Sequence, residues 1–292
     1  MKDTAAPPVC IVTDSTGDVP ADLARELGIS IVPCQIFIGG KVYRDGVDLS
    51  PEEFYAKMAA GEELPRTSQP LMQDFVATYR QLLAEDPATR IVSIHVPAKF
   101  SGTVNGAWAA AQTLPDPSCV EVIDSGQISM GMGWAVIEAA RMARAGLSQE
   151  EVAAGVRALL PRLRTTAMLD TLDNLYKGGR ISQISAVVGT ALRIKPLLSV
   201  RDGEVEIWAK VRTRSRALKR LIAEVQSWGP LQEMAILHAD AEDLAQTLVE
   251  ALGELVPTER LVIEPAGAAL ITHLGLGAVG ICALIAEKGQ VT

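Results

Sequence analysis

The sequence predicts an α/β protein built as an N-terminal parallel-sheet α/β domain followed by a C-terminal α+β domain with a mixed or antiparallel sheet. Three observations carry that expectation. Short β-branched runs alternate with helical stretches through the first half, as in βαβ units. Near residue 197 the pattern changes to a hairpin followed by helix and strand pairs. Finally, 292 residues is long for one core, which places a division into residues 1–160 and 161–292.

Val9 to Thr13 is a short apolar run ending at Asp14-Ser15-Thr16-Gly17. Ala21 to Leu27 reads as a helix and Ile29 to Ile38 as a strand, before Gly39-Gly40 turns the chain. Ser50-Pro51-Glu52-Glu53 is a capping box with proline at the first helical position, so a helix is expected from Pro51 to about Ala60. Pro70 suits a first helical turn, and Leu71, Phe75, Val76 and Leu83 follow at helical spacing. Ile91 to Val96 and Val120 to Ile123 read as buried strands, with Val104 to Gln112 a helix between them. Ligands of parallel sheets sit beyond the carboxyl ends of the strands. Asp14-Ser15-Thr16, Phe100-Ser101-Gly102-Thr103 and Asp124-Ser125-Gly126 all fall there, which predicts one crevice fed by several loops. A second capping box, Ser148-Gln149-Glu150-Glu151, opens a helix expected to reach about Arg164 and join the two domains. Leu197 to Val200 and Val205 to Val211 flank Arg201-Asp202-Gly203-Glu204 as a hairpin. Strands at Met234 to His238, Leu261 to Ile263 and Val279 to Ile285 complete the second half.

Composition narrows the function classes. With 48% hydrophobic and 21% charged residues the chain has the balance of a globular protein. No unpatterned apolar run reaches the ~18 to 20 residues that span a bilayer. The N-terminus lacks a basic segment followed by an apolar one, so the cytoplasm is the expected setting. Cys10, Cys34, Cys119 and Cys282 are scattered singly and read as small buried hydrophobes without chemistry. No histidine, cysteine or carboxylate spacing suits a metal, and no cofactor is expected. A net charge of −8 argues against nucleic acid as a partner, because that function needs a basic face to displace counterions.

Two hydroxyl-bearing motifs stand out, Thr67-Ser68-Gln69-Pro70 and Phe100-Ser101-Gly102-Thr103. In each, the hydroxyls are expected just ahead of a helix whose unpaired N–H groups favour an anion, and Gly102 permits close backbone approach. Ser and Thr at such places also serve as plain N-caps. Lys177-Gly178-Gly179-Arg180 either ends a helix or, facing the crevice, offers Arg180 to a carboxylate or phosphate. His95 and His238 fit as core residues, whereas His273 precedes a glycine-rich loop and is placed to meet a carboxyl group. From Lys210 to Arg220 the chain carries six positive charges and no acid. Lys210, Arg212, Arg214 and Arg216 alternate at period two, as either a solvated face or a docking patch. A hydrolase using Ser101 with His95 or His273 is the alternative reading, although no G-x-S-x-G elbow is present.

These motifs occur together in one known order. Val12-Thr13-Asp14-Ser15-Thr16, Tyr43-Arg44-Asp45-Gly46, Thr67-Ser68-Gln69-Pro70, Ser101-Gly102-Thr103-Val104-Asn105, Asp124-Ser125, Lys177-Gly178-Gly179-Arg180, Ile194-Lys195-Pro196 and the His273 loop make the chain resemble the DegV family of fatty-acid-binding proteins from end to end. Leu276 stands where that family commonly has proline. The resemblance implies two α/β domains enclosing one long-chain fatty acid. Its carboxylate would be held by Thr67, Ser68, Ser101, Gly102 and Thr103, with His273 nearby and Arg180 as a further contact to the head group or a phosphate. It also implies a bacterial, non-catalytic subunit that presents the lipid to a separate fatty acid kinase catalytic subunit for phosphorylation to acyl phosphate. Arg212, Arg214 and Arg216 are then the candidate docking residues, and transient membrane contact serves lipid exchange.

Overall fold

The structure, a computed structural model, describes residues 7–61, 64–185, 194–201 and 203–287. Strand β1 (Val9–Asp14) is buried over its last four residues, the continuous pattern of a strand covered on both faces. Helix α1 (Ala21–Leu27) ends at Gly28, whose φ of 71° turns the chain into β2 (Ser30–Val32). The single strand expected from Ile29 to Ile38 breaks here. Pro33 has no N–H to continue the ladder, and β3 (Gln35–Ile38) leaves for a separate antiparallel sheet. Gly39 and Gly40, at φ 60° and 70°, form the left-handed pair needed for a tight hairpin to β4 (Lys41–Arg44).

Both reciprocal bonds of the Ser50 capping box are present at the start of α2 (Pro51–Ala59). Next, β5 (Arg66–Ser68) pairs with β3, setting Thr67 opposite Ile36 and Ser68 opposite Gln35, before α3 (Met72–Glu85) begins behind Leu71. Thr67 and Ser68 are therefore strand residues, which corrects the expectation that they precede a helix directly. Pairing with β3 uses their backbone, and Pro70 holds Gln69 out of helical conformation.

The parallel sheet is completed by β6 (Arg90–His95), followed by α4 (Thr103–Ala111), and by β7 (Val120–Asp124), in the order β2-β1-β6-β7. Helices α5 (Met130–Arg144) and α6 (Gln149–Leu159) come next, the second from an intact Ser148 capping box. This helix stops at Leu159 rather than Arg164. Pro161 cannot extend it, and Arg164 belongs to β8 (Leu163–Met168), which pairs with strands on both sides. Then follow α7 (Asp173–Lys177), β9 (Ile184–Ser185), β10 (Lys195–Arg201) and β11 (Glu204–Val211). Of the expected hairpin turn, Asp202 lies outside the described residues. The remainder is α8 (Arg214–Gln226), β12 (Leu231–His238), α9 (Glu242–Leu252), β13 (Leu261–Pro265), α10 (Ala268–Leu274) and β14 (Val279–Ile285). The second large sheet is mixed, in the order β13-β12-β14-β8-β10-β11-β9.

These elements stack in layers. Phe75, Tyr79, Ala107 and Ala110 of α3 and α4 cover the outer face of the parallel sheet. Leu221, Leu248, Met234 and Ile281 form the core between α8, α9 and the mixed sheet. Between the two sheets runs the largest apolar cluster, with α5 packed on β1, β6, β8 and β14. Ten of its fifteen residues are buried, and its charged residues, Glu138, Arg141 and Arg144, are confined to its second half. The indole N–H of Trp134 donates to Cys282 O at 3.1 Å, tying α5 to β14.

Replacing Trp134 with Ala is expected to lower the unfolding free energy by about 3–5 kcal/mol, as for other buried aromatics. Urea titration checks this, and a loss below about 1 kcal/mol would show that α5 is not the shared core of the two sheets.

Candidate functional site

The parallel sheet changes direction at β1 and β6: the chain leaves β1 for β2 on one side and later returns to β6 on the other. The loops after these two strands therefore separate at their carboxyl ends and leave room for a ligand. A cavity of about 950 Å³, including its open mouth, begins there. Thr16, Val96, Phe100 and Ser101 form the wall on that side. Thr165, Thr166 and Ala167 of β8 and Leu198, Ser199 and Val200 of β10 face them, while α10 contributes Ala269, Leu270, His273 and Leu274. Leu175, Ile184 and Val205 add to the apolar lining. The hydroxyls of Thr165 and Thr166 are already used, donating to Gln127 Oε1 at 2.9 Å and to Leu198 O at 2.8 Å. These two hydroxyls consequently offer little to a polar ligand.

Other polar groups of the lining lie close to one another. Thr67, Ser68 and Gln69 of β5 and its exit line the cavity, together with Ser101, Arg180 and His273. Thr67 Oγ1 and His273 Nε2 lie 2.8 Å apart, joining residues 206 positions distant in sequence. His273 Nδ1 is buried without a partner among the described residues. Burial, and then the charge of Arg180, push the His273 pKa down to about 4, so the ring is neutral at pH 7. Gly178 explains how α7 comes so close, since a Cβ there would lie 2.6 Å from His273 Nδ1. Arg180 donates to Gly178 O at 2.9 Å and forms no ion pair among the described residues.

The second hydroxyl motif does begin a helix. Gly102 is the residue before α4, Thr103 N donates to Ser101 Oγ at 3.3 Å, and the hydroxyls of Ser101 and Thr103 lie 2.7 Å apart. Only Ser101 of the three lines the cavity. Thr103 is fully buried, and Gly102 acts through space it leaves free, since a Cβ there would lie 1.9 Å from Gln69 Oε1. Neither candidate base reaches Ser101. His95 is bonded to Ser93 Oγ at 2.7 Å and Asp14 Oδ2 at 2.9 Å inside the core, and His273 is bonded to Thr67. The hydrolase reading gains no support from this arrangement.

Two other expectations change. Asp124, Ser125 and Gly126 line a surface groove with Pro97, Lys99 and Gly203 instead of the cavity, because β7 is an edge strand whose end abuts the β10–β11 hairpin. The basic residues do not alternate along one extended segment either. β11 stops at Val211, and Thr213 caps α8 by accepting from Arg216 N at 3.3 Å, so Arg214 and Arg216 occupy a first helical turn. Arg214 Nε donates to Asp170 Oδ1 at 2.9 Å, an oxygen that also accepts from Lys195 Nζ at 2.9 Å. Burial pushes the Asp170 carboxyl up, but hydrogen bonds from Arg214 and then Lys195 carry it below its ordinary value. Arg212 and Arg216 remain exposed. The cavity residues Cys34, Ile128, Thr165 and Val200 went unnoticed in the sequence, since as apolar or strand residues they carry no local mark of a ligand.

Among known proteins, the model of the family described as "Uncharacterised protein, DegV family" matches residues 8–286. A DegV domain-containing protein of Caldanaerobacter subterraneus is 36% identical over 276 residues, covering 94% of this chain and 97% of that protein. Protein DegV of Bacillus subtilis is 32% identical over 278 residues, covering 94% and 98%. The solved structure of a fatty-acid-binding DegV family protein from Thermus thermophilus superposes with a TM-score of 0.85 at 33% identity, covering 96% of this chain and all (100%) of that one. That of DegV, a fatty acid binding protein from Bacillus subtilis, gives 0.85 at 30% identity, covering 96% and 99%. With this architecture, and a family match running almost end to end, the chain belongs to the DegV family.

Proposed function

We propose that this protein binds one long-chain fatty acid in the cavity and presents its carboxylate to a separate kinase catalytic subunit, which phosphorylates it to acyl phosphate. The observation that carries the reading is the cavity's lining: largely apolar, with Thr67, Ser68, Ser101, Arg180 and His273 in it and Thr67 Oγ1 only 2.8 Å from His273 Nε2. Each methylene withdrawn from water contributes ~0.8 kcal/mol, so a sixteen-carbon tail gains roughly 10 kcal/mol before ordering costs. A carboxylate leaving water needs hydrogen bonds in exchange. Hydroxyls of Thr67, Ser68 and Ser101 supply them, and the neutral His273 acts as a hydrogen-bonding group rather than a counter-ion. Arg180 is the cation in this set, and its guanidinium suits a carboxylate before transfer and a phosphate after it. Gly102 and Thr103 shape the mouth without lining it. The Thermus thermophilus and Bacillus subtilis structures, described as fatty-acid binding, support the same ligand class.

On this reading residues 1–160 carry most of the headgroup loops and residues 161–292 close the lipid site. The protein works in the bacterial cytoplasm without catalysis of its own, and exchanges lipid by transient membrane contact. Among the described residues no helix is long and apolar enough to cross a membrane. Arg212 and Arg216 are the exposed candidates for docking the kinase, while Arg214 is engaged with Asp170.

Three outcomes test the reading. Native mass spectrometry of purified protein is expected to show one bound fatty acid or uptake of one added oleate or palmitate, and the absence of both would sink the proposal. Arg180→Ala should weaken oleate binding roughly 10- to 100-fold and Thr67→Val roughly 2- to 10-fold. Binding of methyl oleate, which lacks the charge, should change little in either variant; equal losses for both ligands would remove these residues from the headgroup site. Charge reversal at Arg212 and Arg216 should slow acyl-phosphate formation by the kinase while leaving oleate affinity intact, and unchanged turnover would exclude that patch.

A further inference from the structure

Helix α10 delivers His273 to the mouth of the cavity, yet the groups that hold its other end come from the far side of the chain. Gly267 N donates to Asp18 Oδ1 at 3.0 Å, and Ala269 N to Asp45 Oδ2 at 3.4 Å. Asp18 also accepts from Ser129 Oγ at 2.6 Å, and Asp45 from Ser15 Oγ at 2.8 Å. The two carboxylates approach the same glycine, since a Cβ on Gly267 would lie 2.8 Å from Asp18 Oδ1 and 3.7 Å from Asp45 Oδ2. Neither carries an ion pair among the described residues. Other titratable groups face them: Asp14 of β1 with His95 behind it, Tyr55 of α2, Cys34 before β3, and Cys282 of β14.

We propose that Asp18 and Asp45 are positioning residues for the lipid headgroup: by anchoring the first turn of α10 they hold His273 against Thr67, and fatty-acid binding is thereby coupled to proton uptake at this pair. The inference rests on the lipid-binding reading and adds its regulation. Seven residues of helix span only about 10 Å, so a shift at Gly267 reaches His273 within two turns. Burial raises Asp18 to about 7, with smaller upward contributions from Asp45 and Asp14. Burial likewise raises Asp45 to about 6, with Asp14 adding to it. The sign follows directly. Docked α10 keeps protons that a released, hydrated pair would give up at an ordinary carboxyl pKa. Docking is therefore strongest at low pH, weakens as pH climbs through the range from about 4 to 7, and levels off above it.

The test is oleate affinity between pH 5.5 and 8 for the wild type and for Asp18→Asn, which keeps an acceptor for Gly267 N but cannot ionise. Titration of the ligand and of His273 is common to both proteins and cancels in the ratio of affinities. The wild type should lose at least about threefold relative to the variant as pH rises across this interval. Carboxyl NMR of the wild type, with and without oleate, covers the case of a variant that does not fold: the Asp18 and Asp45 pKa values should be higher with lipid bound. A constant affinity ratio, or identical carboxyl titrations in the two states, overturns the inference while leaving lipid binding standing. A wild type that binds no oleate at any pH overturns both.

Discussion

The cavity depends on one contact made across almost the whole chain. Thr67 reaches the ligand space from a three-residue strand in the first half, and His273 reaches it from a seven-residue helix near the end. A strand and a helix this short have little stability alone, because a helix of seven residues cannot repay its nucleation in water. Both are held by neighbours instead. β5 has β3, while α10 has Asp18 and Asp45 at its start, Asn174 Nδ2 donating to Thr272 O at 3.2 Å, and Gly275 turning at φ 83° to end it. Tyr55 adds a bond from α2 to His238 O at 3.0 Å and another to Ala266 O, just ahead of α10. This part of the cavity is thus assembled by long-range contacts, and the Thr67–His273 geometry follows from how firmly α10 is seated.

That dependence explains which features were legible beforehand. Both capping boxes, the Gly39-Gly40 hairpin and the last strand are local patterns whose physics is complete within a few residues. Family order also brought together Thr67, Ser101, Arg180 and His273, all of which line the cavity. The reason given for Thr67 and Ser68 was wrong in its local structure, because pairing with β3 is decided by residues thirty positions earlier. The helix expected after the Val120 to Ile123 strand is α5, but its bounds were not legible, because it lies between two sheets and ten of its fifteen residues are buried. The lining contributed by β8 and β10 was invisible because inward-facing strand residues look the same whether they meet a core or a cavity.

The electrostatics of the cavity differ from those of the molecule. The protein is acidic overall, with a net charge of −8, yet the cavity lining includes a neutral imidazole, hydroxyls and one guanidinium. On the proposed reading, a set with one cation and otherwise neutral donors suits a site that must release its anion, since a buried ion pair holds its partner against a large desolvation cost. The carboxylates that are buried nearby, Asp14, Asp18 and Asp45, face structural donors instead of the cavity.

The basic segment shows how one run of charge divides between structure and surface. Cations in a first helical turn oppose the macrodipole at a cost of roughly 0.3–1 kcal/mol each. For Arg214 this cost is offset by Asp170, and its guanidinium packs where a Cβ on Gly277 would lie 3.0 Å away, so it buttresses the loop that follows His273. Lys195 shares the same carboxylate, and breaking the pair would leave Asp170 half-buried with less compensation. Arg216, one turn position on, is exposed and forms no ion pair among the described residues. Among the described residues no ion pair offsets its unfavourable placement. On the proposed reading, a local choice that opposes helix formation and gains no ion pair among the described residues is accounted for by an external contact. The same reasoning separates Arg214, whose effect on a partner would be indirect, from Arg212 and Arg216, whose charge is available at the surface.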